Sequence, residues 1–319
     1  IRRDNQDMSS SLESHNYAPG REVPRLTSGD DDFRSKFVSW NLADLSYVDI
    51  QNYLDVKDTV LVPMASTEQH GPHLPLYTDT ITAIEISARV SEAIGVLHTP
   101  PIWAGYSPQH MYDPGQGRGT ITLRSSTLLA VMNDVARSLI HHGFNRIIFV
   151  NGHGSNIKVV DPVLRQLRYE TGALIGFVRP YMERYVGVLE GLMENPPEET
   201  PGWHSSELET SQAMAWNPSL VRMERAEDTR AHIPDFLPST FSKNDGMPDV
   251  EFEGYQYFTF PMDHHEFVEN GVIGNPLRAT PEKGHEAFRR YSEHVAKGVM
   301  ELMTVPVKVH TREFVDRVM

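Results

Sequence analysis

The sequence predicts an α/β protein in which helices cover both faces of a mainly parallel β-sheet. Apolar, β-branched runs at 59–65 and 146–150 are typical of short strands buried on both faces. They alternate with segments of helical periodicity at 78–94 and 125–142. A glycine follows each of these helical segments, as expected at a helix C-terminus. Alternation of this kind is typical of βαβ units.

The remaining elements continue the pattern. The chain is expected to form a strand at 119–123, a helix at 156–170 and a strand at 173–178. A helix at 205–216 should end before Asn217-Pro218, and an amphipathic helix at 281–303 should pack on the sheet. The region 222–280 between them is interpreted as irregular. Functional residues of such sheets gather at the carboxyl ends of the strands, where the two richest polar motifs stand.

One domain is expected at 40–304, because neither an internal repeat nor a linker is evident. Residues 1–39 are interpreted as an extended N-terminal arm, since 1 to about 36 are polar and include an acidic run at 29–32. Such an arm is either a solvated tail or a strap across a neighbouring subunit. Residues 305–319 are interpreted as a C-terminal tail.

Composition narrows the classes of function. The 319 residues include 43 acidic and 29 basic side chains, a net charge of -14, so nucleic acid and anionic membranes are not expected partners. No apolar run reaches the roughly 18 residues of a membrane span. Without cysteine, a transition metal must be held by His, Asp and Glu. We expect a cytoplasmic location because the chain lacks a signal-peptide pattern, although a removed leader is an open alternative.

The stretch STEQHGPHLPLYTD provides the first candidate ligands. Glu68 and His70 are two residues apart, so in an extended chain they project to the same side. Asp79, at the start of the next helix, adds a second carboxylate. Each also has a structural interpretation, because Asp79 favours a helix N-terminus and His70 can be a buried, hydrogen-bonded histidine.

Two later motifs complete the candidate site. NGHGSN at 151–156 follows a buried strand and presents His153, unless its residues only form a turn. In WHSSELETS, His204 and Glu207 are three apart and share a helical face, so Glu207 is assigned as a ligand. Glu209 is turned away and is given a supporting role. A solvated acidic helix start is the alternative for both carboxylates.

Three carboxylates and two histidines suit a pair of divalent metal ions, Zn²⁺ or Mn²⁺ with Fe²⁺ also compatible. Such a pair generates a nucleophilic hydroxide and polarises a carbonyl, while an unligated His204 carries a proton to the leaving nitrogen. Candidates for substrate contact are His110, Gly154 and Trp203. The DHHE run at 263–266 could bind metal in isolation but lies among aromatic residues in the region 222–280; the alternative is a contribution to the site, from a neighbouring subunit in one interpretation.

These segments resemble the creatininase (creatinine amidohydrolase) family over roughly residues 40–304. The resemblance is carried by EQHGPHLPLYTD, NGHGSN and HSSELETS, supported by GVIGNP and ATPEKG. It implies a three-layer α/β/α sandwich, two metal ions per subunit and a homohexamer. It also implies that Glu68 and His70 bind different metals, that Asp79 bridges them, that His153 is a further ligand and that His204 carries the proton.

One departure from the family pattern affects the expected substrate. In creatininase a glutamate follows two residues after the histidine of the NGH motif, where this chain has Ser155. Glu207 is expected to replace it, an exchange that argues against creatinine as the substrate. We therefore expect hydrolysis of a C–N bond in a small cyclic or linear amide. The alternatives are ring opening of a cyclic ketone such as a dehydrogenated inositol, with cleavage of a C–C bond, and a metal-stabilised binding module without turnover.

Overall fold

The structure, a computed structural model, describes residues 23–112, 117–179, 187–194, 204–246 and 248–314. Its helices are α1 Asp31–Arg34, α2 Tyr47–Leu54, α3 Thr78–Ile94, α4 Ser125–His142, α5 Ile157–Thr171, α6 Glu207–Trp216 and α7 Pro281–Thr304. Its strands are β1 Thr59–Met64, β2 Leu97–His98, β3 Arg146–Asn151, β4 Leu174–Val178, β5 Phe241–Ser242, β6 Asp249–Phe252 and β7 Tyr255–Thr259. None of the described helices is long and apolar enough to span a bilayer.

The main sheet is fully parallel, with strand order β2-β1-β3-β4. Its central pair, β1 and β3, is in register from Thr59 opposite Arg146 to Met64 opposite Asn151. Both strands are buried along their whole length, which explains why they are continuous apolar runs in the sequence. Because the two strands are parallel and adjacent, the segments that leave their carboxyl ends emerge side by side.

Alternate side chains of β1 and β3 point to opposite faces of the sheet. On one face, Leu61 and Ile148 pack against α3, α6 and α7. On the other, Val62 and Phe149 pack against α2, α4 and α5. The predicted α/β/α layering is therefore confirmed.

A second, antiparallel sheet of order β5-β6-β7 occupies part of the region 222–280, which the sequence predicted to be irregular. Its hairpin turns at Glu253 and Gly254, both with positive φ (50° and 85°). Turns of this kind usually carry Asn-Gly or Asp-Gly, so Glu-Gly gave no clear signal. The predicted strand at 119–123 was also wrong. It forms only isolated bridges, Ile121 with Thr67 and Thr122 with Gly105.

The described parts of the predicted arm and tail pack on the domain. Residues 31–34 form α1 rather than extended chain, and the buried Arg34 guanidinium donates to the carbonyls of Glu92 (2.7 Å) and Ala93 (3.1 Å) at the end of α3. In the tail, the His310 backbone N–H donates to the Thr171 carbonyl at 2.9 Å. The boundaries 1–39 and 305–319 stay predictions.

Candidate metal centre

The sequence motifs meet at the carboxyl edge of the main sheet. β1 ends at Met64 and leads into the segment that carries Glu68 and His70, while β3 ends two residues before His153. Asp79 lies in the first turn of α3. Parallel pairing of β1 with β3 therefore brings residues distant in sequence to one place.

The NGHGSN turn fits closely against the start of α3. A Cβ atom on Gly152 would lie 2.1 Å from the Asp79 carbonyl oxygen, so only glycine fits there. The Asn156 side-chain amide donates to Asn151 Oδ1 (2.9 Å) and to the Ala65 carbonyl (3.2 Å). These contacts fix the position of His153 relative to Asp79.

Two sets of potential ligands share Asp79. Asp79 Oδ2 lies 2.8 Å from His153 Nδ1, which is also 3.4 Å from Glu68 Oε1. Asp79 Oδ1 lies 3.1 Å from His70 Nε2, which is 3.7 Å from Glu209 Oε2. In each set the ligand atoms lie within 4.8 Å of one another. The two oxygens of one carboxylate thus face two different sites.

The donor set fits divalent cations. Three of these side chains are carboxylates gathered in a buried space, an arrangement that is costly without compensating positive charge. Glu68 Oε2 is buried and has no hydrogen-bond partner within the described part of the chain. Imidazole and carboxylate ligands suit Zn²⁺ and Mn²⁺.

The pKa values of these groups also indicate a site that favours positive charge. Burial alone would lower the pKa of His70, but Asp79 and Glu209 outweigh it and raise the pKa to about 9. Burial likewise opposes the charged form of His153, yet Glu68 and Asp79 raise its pKa well above the usual value. Burial would raise the pKa of Glu68, but His153 and His110 lower it well below the ordinary range. The carboxylates thus attract positive charge, which a metal ion would supply.

The structure does not bring Glu207 to this cluster, so its predicted role requires correction. The Glu207 carboxylate accepts hydrogen bonds from the Glu194 backbone N–H (3.0 Å) and from Lys283 Nζ (2.7 Å). Glu209, predicted to have a supporting role, takes the position beside His70. The helical spacing between His204 and Glu207 does not apply, because α6 begins only at Glu207 and Ser205 has a left-handed φ of 55°.

His204 lies next to both ligand sets, with its ring 4.3 Å from that of His70. Its Nε2–H donates to the Gln69 carbonyl at 2.8 Å, which leaves the Nδ1 lone pair 3.8 Å from Glu68 Oε1. Burial, reinforced by His70 and His110, lowers the pKa of His204 well below its usual value. The imidazole is therefore neutral, with a basic nitrogen directed at the cluster.

The predicted substrate contacts have different outcomes. His110 is buried at the cluster, where its Nδ1 faces the Gln69 side-chain amide at 3.0 Å. Gly154 is exposed, with no heavy atom within 4 Å of a Cβ placed on it. Trp203 lies outside the described residues.

His264, from the DHHE run, also reaches the site from within the same chain. Its ring lies 4.1 Å from that of His110 and 5.0 Å from that of His204. The doubled histidine was the only signal in the sequence.

A family model described as creatinine amidohydrolase matches residues 43–299. The chain is similar to the creatinine amidohydrolase of Pseudomonas putida (27% identity, 82% of this chain and 96% of that protein). It is also similar to a 3-dehydro-scyllo-inosose hydrolase of Thermotoga maritima (27% identity, 79% of this chain and 81% of that protein). A third relative is a mycofactocin precursor peptide peptidase of Mycobacterium tuberculosis (28% identity, 78% of this chain and 87% of that protein).

Solved structures show the same similarity. One described as creatininase with Mn aligns with a TM-score of 0.64 at 26% identity, covering 84% of this chain and all of the other. A creatininase mutant of Zn-Zn type aligns with a TM-score of 0.64 at 25% identity, covering 84% of this chain and 99% of the other.

Proposed function

This chain belongs to the creatininase family and is a metal-dependent hydrolase; from that premise we propose that it cleaves a C–N bond in a small cyclic or linear amide. The observation that carries the proposal is the sharing of Asp79 between two buried ligand sets. One set, Glu68, Asp79 and His153, would hold the first ion. The other, His70, Asp79 and Glu209, would hold the second.

We propose two ions per subunit, Zn²⁺ or Mn²⁺ with Fe²⁺ as a further candidate. The solved relatives described with Mn and as Zn-Zn type support this choice. A pair of such ions, when bound, activates water at neutral pH and polarises the substrate carbonyl. We further propose that the protein is a cytoplasmic homohexamer. It acts on a small molecule and has no nucleic-acid partner. The net charge of -14 supports the exclusion of nucleic acid.

We propose His204 as the proton carrier. Its Nε2–H is held by the Gln69 carbonyl, so Nδ1 accepts the proton of the attacking water and then delivers it to the departing nitrogen. The lowered pKa of His204 keeps this nitrogen unprotonated before the reaction.

We propose that His110, whose ring stacks on that of His204 with centroids 5.1 Å apart, assists His204. The Gln69 side-chain oxygen accepts from the Gly71 N–H (2.9 Å), so its nitrogen is the atom that donates to His110 Nδ1 (3.0 Å). With Nδ1 as an acceptor, the His110 ring carries its proton on Nε2, 3.5 Å from Glu68 Oε1. We propose that this N–H donates to an oxygen of the substrate.

Creatinine is not the proposed substrate. Ser155, buried beside His153, has too short a side chain to replace the glutamate that creatininase has there, and Glu209 reaches the cluster from another element. The substrate is therefore bound in surroundings that differ from those in creatininase.

A second candidate is ring opening of a cyclic ketone by cleavage of a C–C bond. It is favoured by the similarity to the inosose hydrolase, whose identity and coverage of this chain are close to those of the creatinine amidohydrolase. Polarisation of a carbonyl serves both reactions. They differ in products, because amide hydrolysis releases an amine and ring opening yields a carboxylate alone.

The test is a turnover screen of the metal-reconstituted protein against cyclic amides, formamides and cyclic polyol ketones, with amine and carboxylate products measured separately. In His204→Ala we expect turnover to fall by about 10²–10⁴-fold while metal content stays unchanged. His142→Ala, an exposed histidine on α4, is the control and should keep full activity. Loss of metal in His204→Ala, or activity independent of metal, would contradict the mechanism.

A further inference from the structure

A small cavity is lined by His264, whose ring contacts those of His110 and His204. Its volume is about 30 Å³, room for about two water-sized groups. It is therefore too small for a whole substrate and large enough for a single substituent. The side chains that line it include Gln109, Ser155, Lys158, Met262, His264 and Phe267.

The polar groups around this cavity are available to a ligand. His264 is buried, and its Nδ1 has no hydrogen-bond partner in the described part of the chain. Lys158 forms no ion pair within 4 Å with any described residue. The neighbouring Lys243 differs, because its ammonium group is bound by Asp245 at 2.8 Å. Asp249 also acts on Lys158, but only through space.

The cavity is adjacent to the metal centre. His264 lines the cavity, and its ring lies 4.1 Å from the His110 ring and 5.0 Å from the His204 ring. Ser155, which also lines the cavity, is two residues after His153. The charge of Lys158 acts on Glu68. A substrate of a few carbon atoms can thus place its reacting carbonyl at the ligand cluster and another group in the cavity.

We propose that this cavity binds a carboxylate group of the substrate, with Lys158 as its cationic partner and His264 and Ser155 as hydrogen-bond donors. In a protein of net charge -14, an unpaired lysine beside a buried donor favours an anion locally. The hydrolase would accordingly prefer amides that carry a carboxylate over their uncharged analogues. This inference rests on the proposed function, because the carbonyl end is assumed to be bound at the metal centre.

The test compares two inhibitors that differ only in charge. Succinate monohydroxamate and its uncharged carboxamide analogue carry the same metal-binding hydroxamate, and the malonyl and glutaryl homologues vary the distance to the cavity. Their affinities for the metal-loaded protein are measured by titration calorimetry. For the best chain length we expect the carboxylate to bind about tenfold more tightly than the carboxamide.

In Lys158→Met this preference should fall to within about twofold. Because Lys158 is exposed, its replacement should not disturb the fold. Lys297→Met removes the same charge from an exposed position on α7 and should keep the preference. His264→Gln tests the buried donor and should reduce the preference less than loss of the lysine does.

Equal affinities at every chain length, or a preference that persists in Lys158→Met, would overturn the inference and leave the proposed function intact. If neither hydroxamate binds although the protein contains two metal ions, the metal centre is not accessible to ligands. The proposed function and the inference then both fail.

Discussion

The assignment of Glu209 rather than Glu207 to the metal centre can be tested with two matched substitutions. Glu209→Gln and Glu207→Gln each remove one negative charge from α6 and keep the size of the side chain. We expect Glu209→Gln to lose one of two metal ions and Glu207→Gln to keep both. The second variant should instead be less stable.

The magnitudes follow from the contacts of each carboxylate. Glu209 Oε2 accepts from the Ser205 N–H at 2.6 Å, which glutamine can preserve, and lies 3.7 Å from His70 Nε2. Because loss of an outer partner of a ligand typically costs about 10–100-fold in metal affinity, loss of a direct ligand should cost at least about 100-fold.

Glu207→Gln disrupts a buried ion pair with Lys283, and breaking such a pair costs about 3–5 kcal/mol when it is fully isolated. Lys283 keeps Glu194 at 2.6 Å, and its side chain is 14% exposed, so a smaller loss is expected. We expect about 1–3 kcal/mol, which for a chain of this length corresponds to a fall in Tm of about 1.5–5 °C.

The assay is metal content per chain by elemental analysis after gel filtration, together with thermal unfolding in excess EDTA. The chelator is needed because a bound ion would itself raise Tm. Two ions in Glu209→Gln with one in Glu207→Gln would refute the assignment and restore the role predicted from the sequence.

Three further predictions concern protonation and the NGHGSN turn. Because the pKa of His70 in the metal-free cluster is about 9, metal uptake at pH 7 should release protons, and calorimetric heats that do not depend on the buffer would contradict this. Protonated His70 should also stabilise the metal-free fold, because its pKa is higher in the folded than in the unfolded chain. This stabilisation is complete below about pH 6.5 and is lost as the pH rises to about 9, so Tm should decline over that range. Gly152→Ala should lower both Tm and metal content, because its Cβ would lie 2.1 Å from the Asp79 carbonyl oxygen. Gly154→Ala, where no atom lies within 4 Å, is the control, and equal losses in both variants would argue against the steric explanation.

Sequence patterns were sufficient to predict strands that are buried on both faces and helices that are followed by glycine. β1 and β3 are continuous apolar runs because the layers of helices leave neither face in water. α3 ends at Gly95, whose φ is 64°, as its sequence predicted. The apolar stretch at 119–123 has strand propensity, but tertiary contacts give it only isolated bridges. The residues that brace it, Thr67 and Gly105, lie far away in sequence.

The choice between Glu207 and Glu209 depended on where a helix begins, and helix starts are poorly fixed by periodicity. Ser205 adopts a left-handed φ of 55°, uncommon for a residue other than glycine, and nothing in HSSE predicts it. Its N–H is held by Glu209 Oε2, so the carboxylate that reaches the cluster also stabilises the bend before α6. The proposed ligand and the bend that positions it therefore depend on each other.

Gln69 shows why the residue between two ligands matters. Glu68 and His70 approach the cluster, while Gln69 offers its carbonyl to His204 at 2.8 Å and its side-chain amide to His110 at 3.0 Å. The carbonyl places the proton of His204 on Nε2, and the amide places that of His110 on Nε2 as well. One histidine thus presents a lone pair to the cluster and the other an N–H. Because Gln69 contacts both rings, the EQH motif would set the tautomers of His204 and His110 as well as supply two of the proposed ligands.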